Sequence, residues 1–252
     1  MVSKHRSNKR DTQLALVHRD LCGPMSNLSL EGAAYFITLI DDYSRKVWVY
    51  FLKHKDEAFN VFKTFVTHVE NQSGKKLKCL RTDNGREYVL KAFQNFCESK
   101  GIKREITAPY NPSQNGVAER MNRTIQEKVK SMLSNAQLPN GFWTEAVATV
   151  VHLISRSPSM VLEKDSVVEM VWSREAFVKH LRVFGCEAYS HVSKEFRNKL
   201  EPKSRKYIFL SYGDSGEMGY RLWDPESRKV VGSNDVYFNE AKHSSQGTGR
   251  DV

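Results

Sequence analysis

Apolar and polar positions alternate from Leu14 onward, with Leu14, Leu16 and His18 set against Ala15, Val17 and Arg19, until Asp20 precedes Cys22-Gly23-Pro24. That is a strand running into a turn. Tyr35 to Ile40 and Val47 to Leu52 are two further strands, rich in aromatic and β-branched residues. The short link between them predicts a hairpin, and three strands in succession predict a meander. The period then changes. Ala58, Phe62, Phe65 and Val69 recur at helical spacing, widened by Phe59 and Val66, with Asp56 near the start and Gly74 beyond the end. Leu77 to Arg81 is a short strand that breaks at Thr82-Asp83-Asn84-Gly85, a strong turn signal. A second helix places Val89, Phe93, Phe96 and Cys97 on one face, and Ile102 to Ile106 is a candidate fifth strand.

After a loop from Thr107 to Asn115, a helix is predicted from about Val117 to Asn135, burying Val117, Met121, Ile125, Val129 and Met132. Another follows from about Gly141 to Arg156, with Phe142, Ala146, Val150 and Ile154 inward, stopped by Pro158. Strands and helices in the order βββαβαβαα predict a mixed sheet with helices on its faces. The pattern weakens from 161 to 180, a connector. Four or five short strands between about 181 and 240 then predict a small all-β barrel. A basic arm at 1–13 and a polar tail at 241–252 complete the expected organisation, with the α/β core spanning 14–160.

Charge narrows the partner. The 252 residues carry a formal net charge of +10, which favours a polyanion. The four cysteines are far apart and form no Cys-x-x-Cys pair, so they read as reduced thiols of an intracellular protein. No apolar run reaches the roughly 18 residues of a membrane span. The N-terminal residues lack the apolar stretch of a signal peptide.

Three acids stand out. Asp20 and Asp83 each end an apolar strand, and adjacent strands would bring both to one edge of the sheet. Glu119, after 35 intervening residues, opens a helix that can reach the same edge. Singly, each has a plain reading: Asp20 and Asp83 as turn formers, Glu119 as a complement to its helix dipole. Together they would repel one another and raise their own pKa values unless divalent cations lay between them. Mg²⁺ or Mn²⁺, as a pair of ions on oxygen ligands, is the expected cofactor. On the helix from Val117, Arg123, Gln126 and Lys130 share a face with Glu119 and could track a phosphate backbone. A solvated helix face is the alternative. Asn115 and Gly116 would let the preceding loop approach DNA closely, and the basic run from Lys194 to Lys206 extends the candidate footprint. Trp143, Trp172 and Trp223 are read as packing residues.

The segments LVHRDLCGP, YFITLIDDYSRKVWVYFLK, LRTDNGREY and APYNPSQNGVAERMNRTI resemble the integrase region of copia-type LTR-retrotransposon Pol polyproteins. The likeness continues through LPNGFWTEAV, SRSPS, HLRVFGCEAY and GYRLWDPESRKVV, so it covers nearly everything from Leu14 to Glu240. It implies an RNase H-like core with an Asp, Asp, Glu triad at Asp20, Asp83 and Glu119, then a Src-homology-3-like barrel. It also implies DNA 3′-end processing and strand transfer, DNA and further copies of the chain as partners, no membrane, and work in the nucleus after a cytoplasmic stage. Asp41 and Asp42, competitors for the first acid, fall in the family's Ile-Asp-Asp segment and are read as hairpin structure. Two departures qualify the implication. The family's upstream zinc-binding module has no counterpart here, where only His5 and no cysteine precede the core, so no zinc is expected. Val167-Val168 stands where the family usually has a proline before Glu169. The expectation is a truncated element fragment that binds and nicks DNA without completing paired-end insertion. The alternatives are an RNase H-like nuclease that uses only water, or a non-catalytic DNA-binding and multimerising remnant.

Overall fold

The computed structural model describes residues 10–83, 91–106, 116–158, 168, 172, 178–191, 204–213 and 219–243. Contacts gather these into two units: Met1–Ile125 with Leu153–Ala176, and Gln126–His152 with Phe177–Val252. Among the described residues no helix is long and apolar enough to cross a membrane.

The first unit is built on a five-stranded mixed sheet. Its strands are β1 (Val17–Cys22), β2 (Tyr35–Asp41), β3 (Val47–Leu52), β4 (Cys79–Thr82) and β5 (Lys103–Ile106), in the order β3-β2-β1-β4-β5. The expected meander is present: β1 pairs with β2, and β2 with β3, both antiparallel. β4, reached from β3 through α1 (Ala58–Ser73), pairs with β1 in parallel, and β5, which follows α2 (Lys91–Lys100), pairs with β4 in parallel. Gly74 ends α1 in the left-handed conformation at φ 66°, donating its N–H to the Glu70 carbonyl.

One face of this sheet is sealed by α1 and α2. Val17, Leu39 and Leu80 pack against Phe62, Phe65, Val66 and Val69 of α1 and Phe93 and Cys97 of α2. The strand pattern places a charge in this layer. Arg19 is fully buried, its guanidinium over the rings of Phe62 and Phe93 at 5.6 and 5.5 Å, donating to the Ala58 carbonyl at 2.9 Å. Trp172 packs at the margin of the same cluster against Trp48, ring centroids 4.9 Å apart, and donates its indole N–H to Ser44.

α3 (Gly116–Ala136) contributes its first half to this unit and its second half to the other. Its buried stripe is Ala118, Asn122, Ile125, Val129, Leu133 and Ala136, whereas Val117, Met121 and Met132 are only half-buried. The apolar pattern therefore located the helix but set its inward face slightly to one side.

The second unit contains an all-antiparallel sheet of β6 (Cys186–His191), β7 (Ser204–Tyr212), β8 (Tyr220–Asp224), β9 (Lys229–Ser233) and β10 (Val236–His243), in the order β10-β6-β7-β8-β9. The run Lys229 to Phe238 divides into β9 and β10. Phe209, Leu222, Cys186 and Ala188 form its core, with Phe238 and Tyr220 against them. On the opposite face α4 (Trp143–Arg156) covers β7 and β8. Phe142 meets Trp223 edge to face at 5.0 Å, Thr149 donates to the Leu210 carbonyl, and buried Glu145 accepts from Ser211 and Arg221. Trp143 and Trp223 are both buried, as their packing role requires.

Candidate active site

Asp20 lies in β1, the central strand, where the antiparallel register sets it opposite Thr38 of β2. The parallel register with β4 pairs Val17 with Leu80 and His18 with Arg81. Continued along both chains, it brings Asp20 level with Asp83, just past the end of β4. Glu119 sits in the first turn of α3. The Asp20 carboxyl is pushed up from 3.8 to about 6, first by burial, then by the negative charge of Asp83, with a further contribution from Glu119. Hydrogen bonds from the Leu21 N–H and the Asn122 amide oppose that rise.

An all-oxygen set whose members repel one another suits a hard divalent cation such as Mg²⁺ or Mn²⁺. Asp83 and Glu119 are exposed and Asp20 half-buried. Among the described residues no group of three His, Cys, Asp or Glu side chains is gathered tightly enough to hold a metal. Residues 84–90 and 107–115, which flank Asp83 and precede α3, lie outside the described residues.

Asn122 was not singled out by the sequence reading, which set its inward stripe on Val117 and Met121. Its amide donates to Asp20 Oδ2 at 2.9 Å, and its carbonyl oxygen accepts from the Thr38 hydroxyl at 2.9 Å. Both side chains are buried. Asn122 thus bridges the Asp20–Thr38 cross-strand pair from the helix that carries Glu119, and with the Leu21 N–H on Oδ1 it fixes the orientation of the carboxylate. The available signal was an amide three residues after Glu119, on the stripe Ala118, Ile125 and Val129. Asn122→Ala is expected to loosen Asp20 and cost about 1–2 kcal/mol of stability, with a larger relative loss in any metal-dependent activity. Thr38→Val, which keeps the shape, should reproduce part of that loss. Unchanged activity in both variants, with only stability altered, would assign the bridge to folding.

Asp41 and Asp42 are occupied in hairpin structure. Asp41 accepts from the Leu14 and Ser44 N–H groups and the Ser44 hydroxyl. Asp42 binds His18, the Arg10 N–H and Arg45, contacts that hold its carboxyl well below the usual range despite burial.

The expected DNA row lies along α3: Arg123 and Lys130 are exposed and Gln126 is half-buried. Gly116 is the first residue of α3 and is buried, while Asn115 lies outside the described residues.

The integrase core domain model matches residues 14–112, and the retroviral polymerase SH3-like domain model matches residues 186–251. The chain is 53% identical over 243 residues to the retrovirus-related Pol polyprotein from transposon TNT 1-94 of Nicotiana tabacum, covering 96% of this chain and 18% of that protein. It is 31% identical over 213 residues to the Pol polyprotein from transposon RE2 of Arabidopsis thaliana, covering 84% of this chain and 14% of that one. It therefore spans less than a fifth of these curated relatives. A chain of the simian T-cell lymphotropic virus intasome, solved by cryo-electron microscopy in complex with the PP2A regulatory subunit B56 gamma, matches with a TM-score of 0.52 at 16% identity. The match covers 89% of this chain and 78% of that one and is a likeness of fold. The mixed-sheet core and the SH3-like unit expected from sequence are both present.

Proposed function

The chain belongs to the integrase region of copia-type retrotransposon Pol polyproteins, and on that premise we propose that it carries out polynucleotidyl transfer on DNA. In the first step water attacks a phosphodiester near a DNA end, the bond from phosphorus to the 3′ oxygen breaks, and a free 3′ hydroxyl remains. In the second step that hydroxyl attacks a phosphodiester of target DNA, forming one ester bond as another breaks. The observation that carries the reading is the β1–β4 register, which continued along both chains brings Asp20 level with Asp83, with Glu119 in the first turn of α3; the raised Asp20 carboxyl agrees with it.

Asp20, Asp83 and Glu119 would hold Mg²⁺ or Mn²⁺ through oxygen. Bound there, such ions supply the positive charge that favours an ionised attacking oxygen and stabilises the leaving one. The protein's own part is positional. Asn122 and Thr38 orient Asp20, and β1, β4 and α3 deliver the three acids from separate parts of the chain. Arg123, Gln126 and Lys130 offer a charged and amide face for the phosphate backbone. Binding through such contacts should weaken steeply as salt rises. Assembly of several copies on DNA, and nuclear action where chromosomal target DNA lies, complete the proposal; sedimentation with and without DNA, and imaging of the expressed chain, test these two parts.

The test of the chemistry is a cleavage and strand-transfer assay on labelled oligonucleotides in Mg²⁺ or Mn²⁺, run beside Asp83→Asn. Metal-dependent nicking is expected from the parent chain and should fall at least about a hundredfold in the variant. Strand-joined products separate an integrase from a nuclease of the same fold, which would give cleavage alone. Binding without cleavage in either metal would favour the non-catalytic reading, and nicking that survives both metal removal and Asp83→Asn would overturn the site.

A further inference from the structure

The SH3-like unit has an outer sheet face that α4 covers only in part. β7 and β8 lie beneath Phe142, Glu145 and Thr149. Among the described residues nothing covers the β6–β10 end of the same face. There the register places Tyr237 of β10, Tyr189 of β6 and Lys206 of β7 side by side. Their neighbours Val236, Phe238 and Ala188 point the other way, into the core. Tyr237 is 72% exposed, and its ring lies 6.4 Å from that of Tyr189 at an interplanar angle of 46°. A groove of about 550 Å³ opens here, lined by Tyr189, His191, Ser204, Asp235, Tyr237 and Asn239.

Among the described residues its charge runs against that of the whole chain. The Lys206 ammonium, the basic group in the tyrosine row, is paired with Glu187 at 2.5 Å, and the Tyr189 hydroxyl donates to the same carboxylate. Arg205, next along β7, is paired with Asp224 and Glu226. Asp235 is exposed in the groove, and among the described residues no ion pair reaches its carboxylate. Among the described residues this groove therefore offers two aromatic faces and a carboxylate, with Lys206 and Arg205 already paired. An ammonium or guanidinium fits, with ring faces for the cation and Asp235 for its charge.

We propose that the open β6–β10 face of the SH3-like unit is a docking groove for a lysine- or arginine-bearing segment of a protein partner. The groove is remote in sequence from the three acids, so the proposal stands or falls independently of the catalytic reading.

The test uses the full chain and a short fluorescein-labelled peptide of alternating Lys and Gly, followed by anisotropy at near-physiological salt. The same peptide with acetylated lysines and a labelled single-stranded oligonucleotide serve as the other arms. The unmodified peptide should bind and the acetylated one should not. Tyr237→Ala and Asp235→Asn should each weaken binding about fivefold, the scale of one partly exposed cation–π contact or ion pair. Tyr237→Phe keeps the ring face and should bind like the parent. Because Tyr237 is largely exposed, these variants should melt at the parent temperature. An unchanged affinity in Asp235→Asn, or equal loss in Tyr237→Phe and Tyr237→Ala, would overturn the proposal. So would an oligonucleotide that binds through Tyr237 while the peptide does not, which would make this face a base-stacking surface.

Discussion

With metal withheld, Asp20→Asn should make the chain more stable at pH 8, by about 2 kcal/mol, and leave it unchanged near pH 4. The folded structure raises the Asp20 carboxyl from 3.8 to about 6, chiefly by burial and then through Asp83 and Glu119. The full difference is worth roughly 3 kcal/mol. Asp20 is only half-buried and Asn forfeits one acceptor, so the expected gain is somewhat smaller. The sign follows from proton counts. Between about pH 4 and 6 the folded chain holds a proton here that the unfolded chain has released, so stability falls as pH rises through that window. Above it the whole penalty is present, and below the unfolded value it vanishes. Urea unfolding in EDTA at the two pH values measures this directly. Mn²⁺ should then stabilise the parent chain and not the variant, because a ligand that binds only the folded state adds to its stability. An equal gain at both pH values would mean that Asp20 is not held under electrostatic strain, and the argument for a cation among these acids would lose its main support.

Gly185→Ala should destabilise the second unit by about 3 kcal/mol. Gly185 has φ 80°, a conformation that costs an L-residue roughly 1–2 kcal/mol. A β-carbon there would also stand 2.3 Å from Ala136 Cβ and 3.2 Å from Ala136 Cα, at the buried C-terminal end of α3. Neither atom can move aside as a flexible side chain would, so the second contribution is overpacking on a similar scale. The two causes separate in a double variant. Ala136→Gly removes the close contact but leaves the backbone strain, so the pair should recover about half of the loss. Chemical unfolding followed through Trp223, buried in the same unit, provides the readout. A loss below about 1 kcal/mol from Gly185→Ala would show that the turn before β6 can relax.

Much of this architecture could be read from residue pattern because its elements obey one period each. Val47 to Leu52 was placed to the residue, and α1 began at Ala58 and ended before Gly74 as its apolar spacing required. The division between β9 and β10 is hard to read from pattern because apolar residues stand on either side of the short break Ser233-Asn234-Asp235. The inward face of α3 was set aside from its true position because a buried amide looks like a surface residue to any hydrophobicity pattern. Asn122 is buried because Asp20 and Thr38 supply hydrogen bonds for it, and those partners lie 102 and 84 residues away in sequence. Arg19 was hidden for a related reason. Its charge is accommodated by aromatic rings from two helices, a compensation that does not exist until the sheet and helices meet. The pairing of Asp20 with Asp83 was legible in outline, since both end apolar strands, but the parallel register that levels them is a property of tertiary structure.

Arg19 and Asp20 together also guard β1 against slipping. Consecutive residues of a strand point to opposite faces, so a shift of one position would drive the Asp20 carboxylate between Phe62 and Phe93 and swing the Arg19 guanidinium toward Asn122. The aromatic pair would then face an anion, and the amide nitrogen that now donates to a carboxylate would confront a cation with no acceptor to offer. The misaligned strand thus loses the contacts made on both faces. In its proper alignment the same dipeptide gives the aromatic face its cation and the Asn122 amide its acceptor. Beside Asp20, the first of the three acids proposed to form the site, the chain carries the residue that makes the wrong alignment costly.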